Sequence, residues 1–227
     1  MGGHFGGSGP VGAVGGRRPA EIMHWDIQEA LINVLLLWIL TAPHEFAHAW
    51  VATRLGDDTP LAQGRVTLNP LAHVDWLGTA ILPFLSSLFS GGFLGWGKPV
   101  ITNPRKLRFG LNGLALVSLA GPAMNVVMAV VLGVVAMATL QGVPALSRFA
   151  QHGVMLSLYL AIFNMLPIPP LDGSKLLLAA RIPVAFYQEL ARAGFLILIV
   201  LISATHLGYY MNEWAYLGAR AILGSIR

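Results

Sequence analysis

Long apolar runs, separated by short polar stretches, set the pattern of the chain. The first run, residues 26–54, would form a helix of roughly 40 Å, which exceeds the ~30 Å hydrocarbon core of a bilayer. Further apolar runs occupy residues 76–95, 111–140, 153–166 and 184–205. The pattern predicts an all-α integral membrane protein, a polytopic helical bundle of about four to six membrane segments.

For the run at residues 76–95 the sequence does not decide whether the segment crosses the membrane. Four helix-breaking residues interrupt it: Pro83, Gly91, Gly92 and Gly95. It therefore either crosses the membrane or dips in and returns. The preceding stretch is polar and rich in turn residues, and its section 65–68 has strand propensity between Gly64 and Pro70. We expect a short β-hairpin or a re-entrant loop directly after the first helix.

The two ends differ from the apolar middle. Residues 1–24 alternate glycine with other small residues and cannot bury enough surface to offset the cost of ordering, so we expect a flexible tail. This tail lacks the apolar core of a signal peptide, and we expect it to be retained. Residues 25–205 are predicted to form a single membrane-embedded domain. Residues 206–227 are mildly amphipathic and rich in aromatics, which predicts an interfacial C-terminal segment.

Composition agrees with the membrane class. Of the 227 residues 56% are hydrophobic and 11% are charged, whereas a soluble domain has about 25% charged residues. The net charge is +4, but the basic residues lie in short clusters between apolar runs, where they orient membrane segments, so we expect no nucleic-acid partner. The chain has no cysteine, which restricts metal ligands to His, Asp and Glu.

The first apolar run contains the motif His44-Glu45-Phe46-Ala47-His48. On a helix, His44 and His48 lie four residues apart on one face, where two imidazoles can bind one zinc ion and Glu45 can act as a general base. Ionisable side chains inside a membrane segment are costly, so they indicate a functional site. The alternative, a soluble-type helix with two surface histidines, is disfavoured by the apolar surroundings.

A third metal ligand is expected, because catalytic zinc usually has three protein ligands and one exchangeable water. Asp172 is an isolated carboxylate that follows three prolines, where the backbone cannot continue as a regular helix. Irregular backbone at membrane depth is tolerated where it lines a cavity. We expect Asp172 to bind the metal, although it can instead cap the helix that follows. By spacing alone His73 and Asp75 are alternative ligands, but hydrogen bonding within their own loop is favoured.

Other polar groups have candidate roles around this site. Asn164, eight residues before Asp172, can direct a donor at a developing oxyanion. Asn125 is a buried amide whose role, structural or lining the site, stays open. The expected strand residues Arg65, Val66 and Thr67 would bind an extended substrate by edge addition, and a plain surface hairpin is the alternative. Zinc lowers the pKa of bound water to about 7, so the whole set suits hydrolysis of an amide.

Four motifs together resemble the site-2 protease family of intramembrane zinc metalloproteases, and look most like its small bacterial branch without an added PDZ domain. They occupy residues 44–48, 64–73, 121–125 and 164–173. The resemblance implies that His44, His48 and Asp172 bind zinc, that Glu45 is catalytic and that Asn164 assists. It also implies cleavage within or near a transmembrane segment, in a bacterial inner membrane, with the zinc site nearer the cytoplasmic face.

The expected partners are therefore a membrane-protein substrate with a transmembrane helix and the lipid bilayer, and a homo-oligomer is compatible with the sequence. Two other functions stay open. The first is a non-enzymatic carrier of metal ions or protons, although the ionisable groups cluster in two places and form no path across the bilayer. The second is a catalytically silent relative that acts by binding, although Glu45, the residue such a relative can most readily lose, is present.

Overall fold

The structure is a computed structural model and describes residues 27–90 and 95–224. Those residues form eight α-helices and no strand. The helices are α1 (Ile27–Arg54), α2 (Thr59–Ala62), α3 (Leu82–Ser90), α4 (Leu111–Thr139), α5 (Pro144–Asn164), α6 (Ser174–Ala179), α7 (Val184–Ala204) and α8 (Leu207–Leu223). A 3₁₀ turn, Pro70–Ala72, and a π-helical turn, Trp76–Ile81, precede α3. The predicted tail at residues 1–24 lies outside the described residues.

Three of these helices, α1, α4 and α7, are long and apolar enough to cross a membrane. The described residues thus confirm the prediction of an all-helical protein with apolar helices that can span a membrane, whereas the count of four to six membrane segments stays a prediction. The three helices match the apolar runs of the sequence closely. Helix α5 differs, because it begins at Pro144 and not at residue 153. Proline suits the first turn of a helix, and the buried Ser147 is accommodated because its hydroxyl donates to the Ala136 carbonyl of α4 (2.8 Å).

The core lies between α1, α4, α5 and α8 and contains many small side chains. Ala129, Ala150 and Ala215, from α4, α5 and α8, have no exposed surface. Small residues let helix backbones approach closely, which is how helices associate in lipid. Leu36 and Leu40 of α1 join the same cluster, so the helix that carries the histidine motif is held against α4 and α5. Helix α8 shares this core, and its location at the membrane interface stays a prediction.

The two ends of the apolar run at residues 76–95 lie close together. The Trp96 amide donates to the Gly78 carbonyl (2.8 Å), and the Thr79 hydroxyl donates to the Trp96 carbonyl (2.9 Å). A Cβ atom on Gly78 would overlap the Trp96 ring, so this close return requires glycine. Residue 96 therefore lies beside residue 78, which agrees with the course that dips in and returns, and the position of this segment in a membrane stays a prediction.

The strand expected at residues 65–68 is wrong, because the described chain is irregular there. The Arg65 amide donates to the Pro60 carbonyl (2.8 Å), and the Asn69 amide donates to the Thr67 hydroxyl (3.1 Å). These short-range bonds close turns, and such turns compete with the formation of a strand ladder. The described residues therefore form a loop here and no β-hairpin.

Candidate metal centre

Three side chains from two distant parts of the chain meet in a small triangle. His44 Nε2 lies 3.2 Å from Asp172 Oδ2, His48 Nε2 lies 3.0 Å from the same oxygen, and the two nitrogens are 3.1 Å apart. All three residues are buried. Their spacing of four along α1 brings the two imidazoles together, as the sequence predicts, and the loop between α5 and α6 supplies the carboxylate.

The triangle fits a zinc ion. Tetrahedral zinc with bonds near 2.0 Å separates its ligand atoms by about 3.3 Å, close to the observed 3.0–3.2 Å. Two neutral imidazoles and one carboxylate are a standard catalytic ligand set for zinc, and they leave a fourth position for water. His44, His48 and Asp172 can therefore hold one metal ion.

Helix α4 orients the histidines from the opposite side. The His48 Nδ1 proton is donated to the Val117 carbonyl (2.7 Å), which leaves Nε2 free to bind metal. A Cβ atom on Gly121 would overlap the Nε2 atoms of both His44 and His48. Gly121 thus allows α4 to lie directly against the two imidazoles. In the sequence Gly121 is only the first residue of the motif at 121–125, and the Val117 carbonyl leaves no sequence signal.

A broken stretch of backbone places Asp172. The Gly173 amide donates to the Asn164 carbonyl (2.7 Å), which folds the loop back on the end of α5, and a Cβ atom on Gly173 would overlap the Met165 carbonyl. Lys175 Nζ then donates to Asp172 Oδ1 (2.9 Å), so that only Oδ2 points at the histidines. Sequence reasoning missed this role of Lys175, whose only signal is its position three residues after Asp172.

Glu45 lies beside the triangle but is not part of it. Its Oε2 atom accepts a hydrogen bond from the Val100 amide (3.0 Å). Glu45 and the three ligands line one cavity of about 450 Å³, whose walls are mostly apolar. The walls include side chains from α1, α5 and α7: Leu37, Leu40, Leu160, Phe163, Phe195 and Leu198. A carboxylate and a metal centre therefore share one apolar cavity.

The two predicted asparagines also line this cavity. Asn125 is buried, and its Oδ1 atom has no hydrogen-bond partner among the described residues. Asn164 donates its Nδ2 proton to the Leu160 carbonyl (3.0 Å), one turn back in α5. In this structure Asn125 thus has a free acceptor, whereas one donor of Asn164 is already engaged.

The residues of the expected strand do not reach the cavity. None of the three residues Arg65, Val66 and Thr67 lines it. The Arg65 guanidinium lies between two loops, where it donates to the carbonyls of Ala72 and Lys98. The cavity wall on this side is instead a non-helical segment, residues 95–100, which includes Gly97, Pro99 and Val100. We call it the extended segment, because its hydrogen bonds to the rest of the protein fall on every second residue: Trp96, Lys98 and Val100. Its glycines and Pro99 signal a non-helical course in the sequence, but not its position beside Glu45.

The alternative ligands His73 and Asp75 bond within their loop, as favoured from the sequence. His73 Nε2 donates to the Thr67 carbonyl (2.8 Å), and Asp75 Oδ1 accepts from the amides of Leu77 and Gly78 (both 3.0 Å). Burial lowers the pKa of His73, and the nearby Arg65 charge lowers it further. Burial also lowers the pKa of Arg65, while the negative charge of Glu45 opposes that shift.

Comparisons with known proteins agree with this site. The model of peptidase family M50 matches residues 133–202, which include Asn164 and Asp172. "Putative zinc metalloprotease YwhC" of Bacillus subtilis is 35% identical over 197 residues, which cover 82% of this chain and 85% of that protein. "Putative zinc metalloprotease Rip2" of Mycolicibacterium smegmatis is 35% identical over 192 residues, covering 82% of this chain and 72% of that protein. No solved structure gives a significant match.

These matches extend over the whole metal centre. Because 82% of 227 residues is about 186 residues, each match includes His44 through Asp172 wherever it begins. The fold and the site define a membrane-embedded protein with a buried centre of two histidines and one aspartate. The chain belongs to peptidase family M50, the site-2 class of intramembrane zinc metalloproteases, and zinc is its cofactor.

Proposed function

We propose that this protein is a zinc-dependent endopeptidase that hydrolyses peptide bonds in or near transmembrane segments of membrane-protein substrates. The observation that carries the proposal is the arrangement of His44, His48 and Asp172 as a metal-binding triangle, with Glu45 in the same apolar cavity. A metal carrier needs a series of sites that pass an ion onward, whereas this cavity combines a single set of three ligands with a separate carboxylate.

Each polar group has a task in hydrolysis. His44, His48 and Asp172 would hold the zinc ion, which would act as a Lewis acid and lower the pKa of a bound water to about 7. The Glu45 carboxylate takes the proton of the attacking water and passes it to the leaving amine. Asn164 is the candidate donor for the developing oxyanion, once it releases the Leu160 carbonyl. Asn125 Oδ1, a buried acceptor without a partner among the described residues, can accept a hydrogen bond from a backbone N–H of the substrate.

The extended segment, residues 95–100, is the best candidate for a substrate-binding edge. Both backbone groups of Trp96 and of Lys98, and the amide of Val100, form hydrogen bonds to other parts of the protein. Because backbone groups alternate along an extended chain, those of Gly97 and the Pro99 carbonyl point the other way. Within the described residues these groups have no hydrogen-bond partner. An extended peptide can pair with this edge while its scissile amide lies near the metal.

A substrate helix must unwind before it can pair in this way. Backbone groups of a membrane-spanning helix are bonded within the helix, so an amide reaches zinc only when those bonds open. Helix-breaking residues near the cut should therefore speed cleavage. The apolar cavity walls replace the lipid around the unwound segment, which limits the cost of moving it from the bilayer.

The proposal extends to location. The 21-residue helix α5 is long enough to cross beside α4, which would make four spans with α1, α4 and α7. With α1 ending on the cytoplasmic side, the basic residues Lys98, Arg105, Lys106 and Arg108 would also lie there, in agreement with their usual location. The protein would then lie in a bacterial inner membrane with its zinc near the cytoplasmic face. Assembly into a homo-oligomer is compatible with this arrangement.

A cleavage assay on purified protein in detergent tests the function. The substrates are two transmembrane peptides that differ only by a central Asn-Gly pair, and mass spectrometry locates the cut. We expect cleavage of both peptides, faster for the Asn-Gly peptide, abolished by a chelator and restored by about one equivalent of zinc. If zinc-loaded protein cleaves neither peptide but carries metal ions into proteoliposomes, the carrier function replaces the peptidase.

A further inference from the structure

Arg65 is a buried cation with an unusual set of partners. Only 5% of the residue is exposed, and its two terminal nitrogens donate to the backbone carbonyls of Ala72 and Lys98. Its Nε atom has no partner, and no carboxylate forms an ion pair with it in the described part of the chain. Burying a charge without a carboxylate partner is costly. The two hydrogen bonds from Arg65 to backbone carbonyls are therefore expected to serve a purpose that offsets this cost.

Those carbonyls belong to two separate loops. Ala72 ends the 3₁₀ turn Pro70–Ala72, and Lys98 is in the middle of the extended segment, residues 95–100. The Lys98 amide also donates to the His73 carbonyl (2.9 Å). Both backbone groups of Lys98 are thus bonded to the loop around Arg65. The side chain of His73 fixes that loop in turn, because its Nε2 donates to the Thr67 carbonyl (2.8 Å).

The same segment contacts the catalytic carboxylate two residues later. The Val100 amide donates to Glu45 Oε2 (3.0 Å), so a shift of residue 98 would be transmitted to Glu45. Glu45 is also the acidic group whose charge favours the protonated form of Arg65. Arg65, Lys98, Val100 and Glu45 therefore form one connected path from the loop to the metal cavity.

We propose that Arg65 is a positioning residue that clamps the inner edge of the extended segment. The clamp sets the place of Glu45 and turns the free edge at Gly97 toward the cavity. Arg65 acts from behind the segment and does not touch the substrate. The inference rests on the proposed function for its catalytic readout, but the clamp itself can be measured without activity.

Arginine suits this position better than lysine. Its planar guanidinium directs two donors to two carbonyls at once, whereas an ammonium group is a single point on a flexible stem. A lysine at position 65 can hold one loop or the other, and it keeps the charge. Comparing Arg65→Lys with Arg65→Met therefore separates the loss of the bridge from the loss of the charge.

The experiment measures backbone amide exchange, bound zinc, kcat and KM on purified full-length protein in detergent. The variants are Arg65→Met and Arg65→Lys. Arg105→Met is the matched control, because Arg105 is exposed and its side chain forms no hydrogen bond or ion pair within the described residues. We expect Arg65→Met to speed exchange at Lys98 and Val100 by roughly ten-fold or more while zinc stays bound. We also expect KM to rise by a larger factor than kcat falls, with Arg65→Lys intermediate and Arg105→Met unchanged.

Two results would overturn the clamp. One is wild-type exchange at residues 96–100 in Arg65→Met. The other is a loss of zinc together with faster exchange throughout α1 and α4, because Arg65 would then serve the fold as a whole. If the wild type cleaves nothing, the proposed function fails, while the exchange result still decides whether Arg65 clamps the segment.

Discussion

Lys175 Nζ lies 2.9 Å from Asp172 Oδ1, so that the other carboxylate oxygen, Oδ2, is the one that faces His44 and His48. Lys175 follows Asp172 by one turn at the start of α6 and lines the metal cavity. By occupying one oxygen, the ammonium group fixes the carboxylate plane and leaves a single ligand atom for zinc. Partners of this kind are known to support metal affinity as well as geometry.

We expect Lys175→Met to weaken zinc binding by about 10–100-fold, the usual effect of losing a group that orients a metal ligand. Competition with a chromophoric chelator measures the change. Lys106→Met is the matched control, because Lys106 pairs with Asp58 on the exposed surface, where such pairs contribute little. Wild-type zinc affinity in Lys175→Met would show that Asp172 keeps its orientation without this lysine.

Gly121→Ala should empty the metal centre. The added Cβ atom would overlap both Nε2 atoms, and the neighbouring backbone of α4 is held by its packing against α1 and α5. We expect the purified variant to hold less than a tenth of the zinc of the wild type, while its helix content is unchanged. Gly142→Ala is the control, because nothing lies near a Cβ atom there. Equal zinc in both variants would contradict the close approach of α4.

Much of this site could be predicted from the sequence, because its strongest signals are local. The four-residue spacing of His44 and His48 places them on one helical face, and the prolines before Asp172 break the helix there. Charge within an apolar run is rare enough to mark function. The prediction that Asp172 binds the same metal as the two histidines also depends on the usual number of protein ligands of a catalytic zinc ion.

The parts that could not be predicted depend on tertiary contacts. Turn-forming bonds around Arg65 outweigh the strand propensity of residues 65–68, and propensity is a weak guide where side chains are committed elsewhere. The return of Trp96 to Gly78 depends on a side chain packing against a glycine nearly twenty positions away. Lys175 appears in the sequence as an ordinary basic residue, and only the fold gives it a carboxylate partner.

His73 should make its loop sensitive to acid. The imidazole has an ordinary pKa near 6.5 when released, and burial lowers this pKa in the folded protein. At a pH between these two pKa values, His73 binds a proton when the loop is released but not when the loop is folded. The contribution of His73 to the stability of the loop is therefore fully present above about pH 6.5, and it is lost as the pH falls below that value. Amide exchange of residues 65–73 at pH 7.5 and pH 5 measures the effect.

The control for this prediction is His73→Gln, whose side-chain amide can still donate to the Thr67 carbonyl but does not titrate. We expect acid to speed exchange of the loop in the wild type and to change it much less in His73→Gln. The same acid response in both proteins would assign the effect to other groups.

In the proposed mechanism His44, His48 and Asp172 hold one zinc ion, and Glu45 serves the chemistry without binding the metal. Zinc content and peptide cleavage, measured together for the wild type, Glu45→Gln and Asp172→Ala, test this assignment. We expect one zinc per chain and cleavage in the wild type, zinc without cleavage in Glu45→Gln, and loss of both in Asp172→Ala. Full zinc and activity in Asp172→Ala, or loss of zinc in Glu45→Gln, would contradict it.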